Sequence, residues 1–218
     1  MPQLRFSRRR VLLGSGACAT VAALGGTAAA ADALRRTPTQ TEGPFYPLEK
    51  PLDADADLTL VKGRKARAQG QLVHVTGRVL NVNGDPVSGA RIEIWQANAH
   101  GRYAHPADGN HAPLDPNFQG YATLFTDADG RYRFKTIKPS GYPAGAVMRP
   151  AHIHFAVAGK LDRLVTQMYF PGDPLNDSDG ILSAAKNRQL LVADVRAPTP
   201  DLPPDSLLAH WNIILENG

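Results

Sequence analysis

Two segments that alternate between apolar and polar residues limit most strongly what this chain can fold into. The sequences L-V-H-V-T-G-R-V-L-N-V at 72–82 and A-R-I-E-I-W-Q-A at 90–97 place apolar side chains at every second position. This period is typical of a β-strand that buries one of its faces. The sequence N-G-D-P at 83–86 lies between them and indicates a turn.

Further short strands are expected at intervals along the rest of the chain: 121–126, 132–137, 152–158, 164–169 and 211–215. The 20 Gly and 18 Pro residues suit short strands joined by turns better than long helices. Helix is expected only around 180–190. The 218 residues have room for one medium domain. The sequence therefore predicts an all-β fold, an antiparallel β-sandwich with long site-bearing loops and little helix.

Residues 1–33 have the layout of a cleaved export signal. The basic sequence S-R-R-R-V-L precedes an apolar, Ala/Gly-rich stretch and then small residues. The paired arginines favour the twin-arginine route and a periplasmic or extracellular location. A membrane anchor is the alternative, but the apolar stretch is short and weakly hydrophobic for a span. We therefore expect no stable anchor, an irregular arm at 34–70 and a β-sandwich domain at 71–218.

The net charge of +4 comes from this N-terminal segment. Residues 1–30 contain four arginines and no acidic residue, and removing these four from the 24 basic residues leaves 20 against 20 acidic ones. A neutral remainder gives no case for a nucleic-acid partner. Cys18, the only cysteine, lies inside the signal. The mature chain is therefore expected to contain no disulfide, no thiolate metal site and no cysteine nucleophile.

The segment R-P-A-H-I-H contains the first candidate site residues, His152 and His154, on either side of Ile153. In a strand, residues i and i+2 point to the same face, so both imidazoles would project together while Ile153 enters the core. An H-x-H pair on a strand is a common metal-binding element, although it is only moderately specific. No nearby carboxylate completes a two-His-one-carboxylate site, because Asp127 and Asp129 belong to a turn sequence.

Two tyrosines in expected loops, Tyr103 in G-R-Y and Tyr142 in S-G-Y-P, extend the set of candidate ligands. Either one alone would be an ordinary packing residue. Together with the H-x-H pair they would offer two anionic oxygens and two nitrogens. A phenol titrates near pH 10, so phenolate at neutral pH requires a strongly Lewis-acidic ion. Hard oxygen ligands favour Fe(III) over Zn(II) or Cu(I).

The chain from about residue 37 to 170 resembles the intradiol ring-cleavage dioxygenases, the family of protocatechuate 3,4-dioxygenase and the catechol dioxygenases. Several segments match in the family's order: T-P-T-Q-T-E-G-P-F-Y, I-W-Q-A-N-A-H-G-R-Y, L-D-P-N-F-Q-G-Y, T-D-A-D-G-R-Y-R-F, K-P-S-G-Y-P, R-P-A-H-I-H-F and T-Q-M-Y-F-P-G-D-P. Such a series is far more specific than any one segment alone.

The resemblance implies a mononuclear ferric site whose ligands are Tyr103, Tyr142, His152 and His154. It implies that Tyr142 is the axial ligand that leaves when substrate binds and takes up a proton. Arg149 would stabilise developing negative charge beside the bound diol, and Gln167 would lie near the oxygen-reaction site. The reactants would be a small aromatic diol, with a protocatechuate-like substrate favoured, and O2. The product would be a muconate-type diacid.

Other features of the same sequence leave parts of this interpretation open. Arg149 would also fit a surface or carboxylate-paired arginine, and Gln167 would also fit a residue bonded to neighbouring backbone. The stretch between Tyr142 and His152 is short, Gly/Ala-rich and lacks the Trp of the better-known protocatechuate enzymes, which puts the ring substituents in doubt. The long helical N-terminal region through which catechol dioxygenases dimerise is missing. That dimer is therefore not expected, while another homo-oligomer is left open.

Two other interpretations compete with a ring-cleaving enzyme. The segments at 77–94 and 126–134 also resemble transthyretin-like and carboxypeptidase-regulatory-like domains, which would make the protein a non-catalytic exported β-sandwich binding module. Such a module has no need of Tyr103, Tyr142 and the H-x-H pair. The second interpretation is an inactive relative that binds metal or aromatics and keeps all four ligands.

Overall fold

The computed structural model describes residues 34–218, and the predicted export signal at 1–33 lies outside them. Its strands, in chain order, are β1 Leu72–Asn81, β2 Arg91–Trp95, β3 Tyr121–Phe125, β4 Arg131–Ile137, β5 Tyr142–Ala144, β6 Val147–Arg149, β7 His152–Ala158, β8 Arg163–Tyr169, β9 Asp194–Arg196, β10 Leu207–His210 and β11 Ile213–Leu215. The helical elements are one short α-helix and one 3-10 turn, α1 Gly180–Ser183 and Arg188–Leu191. The regular secondary structure of the described part is therefore almost entirely β-structure, as the sequence predicts.

Two larger sheets and one hairpin contain these strands. In the first sheet, β1 pairs antiparallel with β4 and parallel with β10 and β11, and β9 pairs antiparallel with β10. The second sheet has the order β3-β2-β7-β8 and is antiparallel throughout. Strands β5 and β6 form a separate hairpin. The sandwich is confirmed, but the parallel pairs make its first sheet mixed, which alternating patterns cannot reveal because they report only which face is buried.

The main hydrophobic core lies between the two larger sheets. Strand β7 contributes Ile153, Phe155 and Val157 to it, and all three are fully buried. The side chains of His152 and His154 therefore lie on the opposite face of the same sheet, because side chains alternate along a strand. The expectation that Ile153 enters the core while both imidazoles project together is confirmed.

Gly77 marks the point where β1 changes partners from β10 to β11. A Cβ atom at this position would lie 1.8 Å from the carbonyl oxygen of Trp211. The same carbonyl accepts a 2.6 Å hydrogen bond from the hydroxyl of Tyr132. Only glycine leaves room for the connection between the two parallel strands to cross here.

The segment before β1 crosses the sandwich without forming a strand or helix. Its backbone nitrogens donate to the edges of both sheets, from Leu34 to Val82, from Thr37 to Ile214 and from Gln40 to Val165. These bonds carry residues 41–45 across the outer face of the second sheet. The segment is irregular, as predicted, while the domain division at 70/71 stays a prediction.

Four strands and the helix bounds differ from the sequence expectation. The missed strands are the three-residue β5, β6 and β9 and the four-residue β10. These are too short to display a period, and Pro143 occurs inside β5. The helix expected around 180–190 is divided into α1 and the 3-10 turn. Asn187, with φ 58°, occupies the left-handed region between them and interrupts the helix.

Candidate metal centre and active site

Strand pairing places the candidate residues around one point on the outer face of the second sheet. His154 of β7 lies opposite Trp95 of β2 on one side and Gln167 of β8 on the other. In the hairpin, Tyr142 of β5 lies opposite Arg149 of β6. Strand register thus pairs His154 with Gln167 and Tyr142 with Arg149, and the hydrogen bond from Arg149 to Gln167 joins the two pairs at one site.

The four predicted ligands are buried and mutually in contact. The ring centroids of Tyr103 and Tyr142 are 5.3 Å apart, those of Tyr142 and His152 5.5 Å, and those of Tyr103 and His154 6.2 Å. Each of the four is at most 3% exposed. Tyr142 begins the β5–β6 hairpin, although the sequence predicted a loop at this position. The hairpin holds it over the H-x-H pair.

The two imidazoles face each other through their Nε2 atoms, which are 3.2 Å apart. Nδ1 of His152 lies 2.7 Å from the carbonyl oxygen of Pro150, which can only accept a hydrogen bond. The proton of neutral His152 is therefore on Nδ1, and its Nε2 presents a lone pair toward His154. This is the tautomer that a metal-binding histidine requires.

Burial makes all four groups neutral in the protein alone. It lowers the pKa of His152 to about 3, with a further contribution from the charge of Arg149. Burial, then the neighbouring His152, lowers the pKa of His154 well below its usual value. Burial raises the pKa of Tyr103 well above that of a free phenol, and that of Tyr142 is raised for the same first reason. Neutral imidazoles are the ligating form, while phenolates at this site would need a bound cation to compensate their charge.

The hydroxyl of Tyr103 is the clearest sign that a partner belongs here. It is buried and has no hydrogen-bond partner of regular geometry within residues 34–218, although the hydroxyl of Tyr142 is close enough to raise its pKa. An unpartnered buried hydroxyl costs about 1–3 kcal/mol. Among these residues no group of three or more His, Cys, Asp or Glu side chains could hold a metal. The donors gathered at this point are two phenols and two imidazoles, a set that would fit a hard, strongly Lewis-acidic ion such as Fe(III).

Arg149 is held in the wall of the site by three side chains. Its Nε donates to Oδ2 of Asp179 at 2.5 Å, and its Nη2 donates to Oε1 of Gln167 at 2.8 Å and to the hydroxyl of Tyr169 at 3.0 Å. The side chains of Arg149 and Asp179 are only 8% and 1% exposed. Arg149 is thus carboxylate-paired and also beside the ligands, so the two sequence interpretations of this residue are compatible.

Gln167 uses both ends of its amide inside the protein. Its Oε1 accepts from Arg149, and its Nε2 donates to the carbonyl oxygen of Thr41 at 2.8 Å. Oε1 also accepts from the hydroxyl of Tyr169 at 2.8 Å, so the simpler interpretation, a bond to backbone, describes one of its three hydrogen bonds. The geometry makes Gln167 a link between the arm and Arg149, while its predicted place near the oxygen reaction stays a prediction.

Several residues around the site carry no recognisable sequence signal. Trp95 stacks on His154, with ring centroids 4.9 Å apart and planes inclined by 12°. Phe45 of the arm packs against Tyr103 at 4.6 Å. Asp179 caps α1 and pairs with Arg149. These contacts depend on long-range packing, so they could not be read from local patterns.

A cavity of about 740 Å³ opens beside this group of residues. Tyr142 and Arg149 line it, whereas Tyr103 and the two histidines lie behind and do not. A separate cavity of about 370 Å³ lies on the other side of Tyr103, bordered by Trp95 and His105. Tyr142 is therefore the one of the four donors that stands between the larger cavity and the other three.

Comparisons with known proteins identify the family of this chain. A family described as Dioxygenase matches residues 41–217. The protocatechuate 3,4-dioxygenase beta chain of Burkholderia cepacia is 49% identical over 175 residues, which are 78% of this chain and 68% of that relative. The chain belongs to the intradiol ring-cleavage dioxygenases. The family predicted from the sequence is confirmed, and the transthyretin-like binding module is not supported.

Two further similarities define how far this dioxygenase matches its relatives. A hydroxyquinol 1,2-dioxygenase of Rhizobium sp. (strain MTP-10005) is 33% identical over 168 residues, 70% of this chain but 52% of that relative, so the chain spans about half its length. The solved dioxygenase domain of a dioxygenase–carbohydrate-binding protein fusion from Streptomyces sp. SirexAA-E is 26% identical, with a TM-score of 0.64. The match covers 84% of this chain and 100% of that one.

Proposed function

We propose that this dioxygenase uses Fe(III), held by Tyr103, Tyr142, His152 and His154, to cleave a catechol-type ring between its two hydroxyl-bearing carbons. The observation that carries the proposal is the convergence of four buried, neutral donors, one of which has a hydroxyl without a protein partner. The product is a muconate-type diacid. It contains every atom of the diol and both atoms of O2, so the reaction needs no further reductant.

When bound, Fe(III) would withdraw electron density from the diol and make its ring reactive toward O2. The protein determines which of the four donors lies nearest to an entering substrate. Tyr142 lines the cavity, so its oxygen, which would be a phenolate only while Fe(III) is bound, is placed to accept a proton from an entering diol. Tyr103, His152 and His154 lie deeper and keep the site assembled.

Arg149 supplies positive charge at the edge of the cavity. Its Nε and Nη2 are bonded to protein side chains, while Nη1 makes no hydrogen bond within the described residues. That free donor is available for negative charge that develops on the substrate as the ring is cleaved. A donor fixed before the reaction begins stabilises such charge without reorganisation.

The test is oxygen consumption with a catechol and identification of the product. Iron-loaded protein should consume one O2 for each catechol and give a diacid that carries both atoms of isotopically labelled O2. A His154→Ala variant treated in the same way serves as the control and should do neither. Iron-loaded protein that binds catechols without consuming O2 would contradict the proposal and favour an inactive relative.

The ring substituent expected from the sequence is not part of this proposal. Protocatechuate, favoured from the sequence, is in the name of the relative that is 49% identical. That support is similarity alone, and the roles given to the four ligands and Arg149 do not depend on the substituent. Turnover of protocatechuate in the same oxygen assay tests it.

We also propose that the protein acts outside the cytoplasm. The support is the S-R-R-R-V-L signal pattern within residues 1–33. Within residues 34–218 no helix is long and apolar enough to cross a membrane. Replacing Arg8 and Arg9 with Lys should abolish export in cell fractionation, and unchanged export would contradict the twin-arginine route. A homo-oligomer, left open by the sequence, is tested by the mass of the purified protein in solution.

A further inference from the structure

The residues that line the 740 Å³ cavity indicate which ring substituents the substrate can carry. It is formed by arm residues 41–45, loop residues 107–110, the β5–β6 hairpin and residues 178–181 at the start of α1. A cavity of this size is in the range that encloses a drug-sized ligand. It therefore has room for a catechol with a large substituent.

The charged residues that line this cavity sum to a negative charge. They are Arg149, Asp108 and Asp179, one positive and two negative, a net of −1. Arg149 is already paired with Asp179 at 2.5 Å. Asp108 accepts from the backbone nitrogens of Tyr103 and Asn110 at 2.7 and 2.8 Å. Arg149 is the one cation among the lining residues, and its free Nη1 is the donor assigned to the reacting diol, so no second cation is left for an anionic substituent.

The part of the cavity wall that β6 of the hairpin forms is apolar and exposed to solvent. Val147 and Met148 of β6 are 61% and 48% exposed, and both line the cavity. Phe45 and Ile181 add apolar surface from the arm and from α1. Exposed apolar side chains that lie together beside a cavity are typical of a surface that a ligand or another partner covers.

We infer that the substrate is an uncharged catechol with an apolar substituent on the ring carbon remote from the two hydroxyls, such as a 4-alkylcatechol. This inference rests on the proposed ring cleavage at this site. The diol would occupy the end next to Tyr142 and Arg149. The substituent would cover Val147 and Met148, where a carboxylate would be buried without a counter-ion. Protocatechuate, which carries a carboxylate at this ring position, is then a poor substrate.

A panel of four diols tests this directly: catechol, 4-methylcatechol, 4-propylcatechol and protocatechuate. We expect kcat/KM to rise with alkyl length and to be about tenfold or more lower for protocatechuate than for 4-propylcatechol. Protocatechuate as the best substrate would overturn the inference while leaving ring cleavage intact. Absence of O2 uptake with all four would instead contradict the proposed function, so the two failures are distinguishable.

A matched pair of variants tests the location of the substituent. Met148→Lys adds a cation to the apolar wall, and we expect it to raise kcat/KM for protocatechuate relative to 4-propylcatechol by about tenfold. Leu161→Lys is the control, because Leu161 is 77% exposed in the turn between β7 and β8 and does not line the cavity. It should leave the ratio unchanged. Equal ratios in Met148→Lys, Leu161→Lys and the unmodified protein would place the substituent elsewhere and overturn the inference.

Discussion

The Nε2 atoms of His152 and His154 face each other at 3.2 Å in a region where both rings are buried and neutral. The carbonyl oxygen of Pro150 fixes the proton of His152 on Nδ1, so Nε2 of His152 carries a lone pair that points toward His154. Two imidazoles aimed at each other in this way are arranged to share a cation.

Tyr103→Phe should have opposite effects on metal binding and on stability. Its hydroxyl is buried without a protein partner, so its removal should stabilise the metal-free protein by about 1 kcal/mol while iron retention is lost. Thermal unfolding of metal-free protein and iron analysis after purification measure the two effects.

Tyr132→Phe is the matched control for this variant. The hydroxyl of Tyr132 donates to the carbonyl oxygen of Trp211 at 2.6 Å, inside the main core. Its loss should destabilise the protein by about 1 kcal/mol and leave the iron content unchanged. If both variants were destabilised and both kept their iron, Tyr103 would be a packing residue and not a metal ligand.

Asp179→Asn should reduce turnover without removing iron. Oδ2 of Asp179 accepts from Arg149 and Oδ1 accepts from the backbone nitrogen of Leu182, so the amide of Asn can satisfy only one of these donors. We expect kcat to fall about tenfold through misplacement of Arg149. Asp177→Asn, which removes a surface pair with Arg188, is the control. Equal kcat in both variants would mean that Asp179 does not position Arg149.

Arg149→Lys should be nearly as harmful as Arg149→Ala. A lysine keeps the charge but cannot hold Asp179, Gln167 and Tyr169 through a planar fork while presenting another donor to the cavity. We expect both variants to keep iron and to lose about 100-fold in kcat/KM. Steady-state oxygen uptake measures this, and full turnover in Arg149→Ala would show that the residue has no role in the reaction.

Trp95→Leu should weaken iron retention, because the indole stacks on His154 and orients its ring. Residues that orient a metal ligand contribute about 10- to 100-fold to metal affinity. Trp95→Phe keeps an aromatic face and should lose much less, since the indole nitrogen has no hydrogen-bond partner within the described residues. The rate of iron removal by a chelator compares the two, and equal rates would contradict the orienting role.

The sequence was sufficient for the strands that display a period and for residues held by local geometry. Ile153 and its two flanking histidines occupy opposite faces because side chains alternate along β7, and this needs no tertiary information. The turn carboxylate Asp127 likewise accepts from the backbone nitrogens of Asp129 and Arg131, as its turn sequence indicates.

Other features depend on contacts between distant segments, which no local pattern contains. Asp179 became a partner of Arg149 only when α1 packed beside the β5–β6 hairpin. The parallel pairing of β1 with β10 and β11 joins residues more than 130 positions apart. The net charge of the residues that line the cavity could not be predicted from local patterns either, because the four segments that form its wall meet only in the folded chain.

The visible spectrum of the purified protein, measured together with its iron content, tests most directly whether two tyrosines and two histidines hold ferric iron. We expect a burgundy to red protein with stoichiometric iron and a tyrosinate-to-Fe(III) charge-transfer band that shifts when a catechol is added. The band should be absent from Tyr103→Phe. A protein that stays colourless after loading with ferric iron would contradict the ferric site.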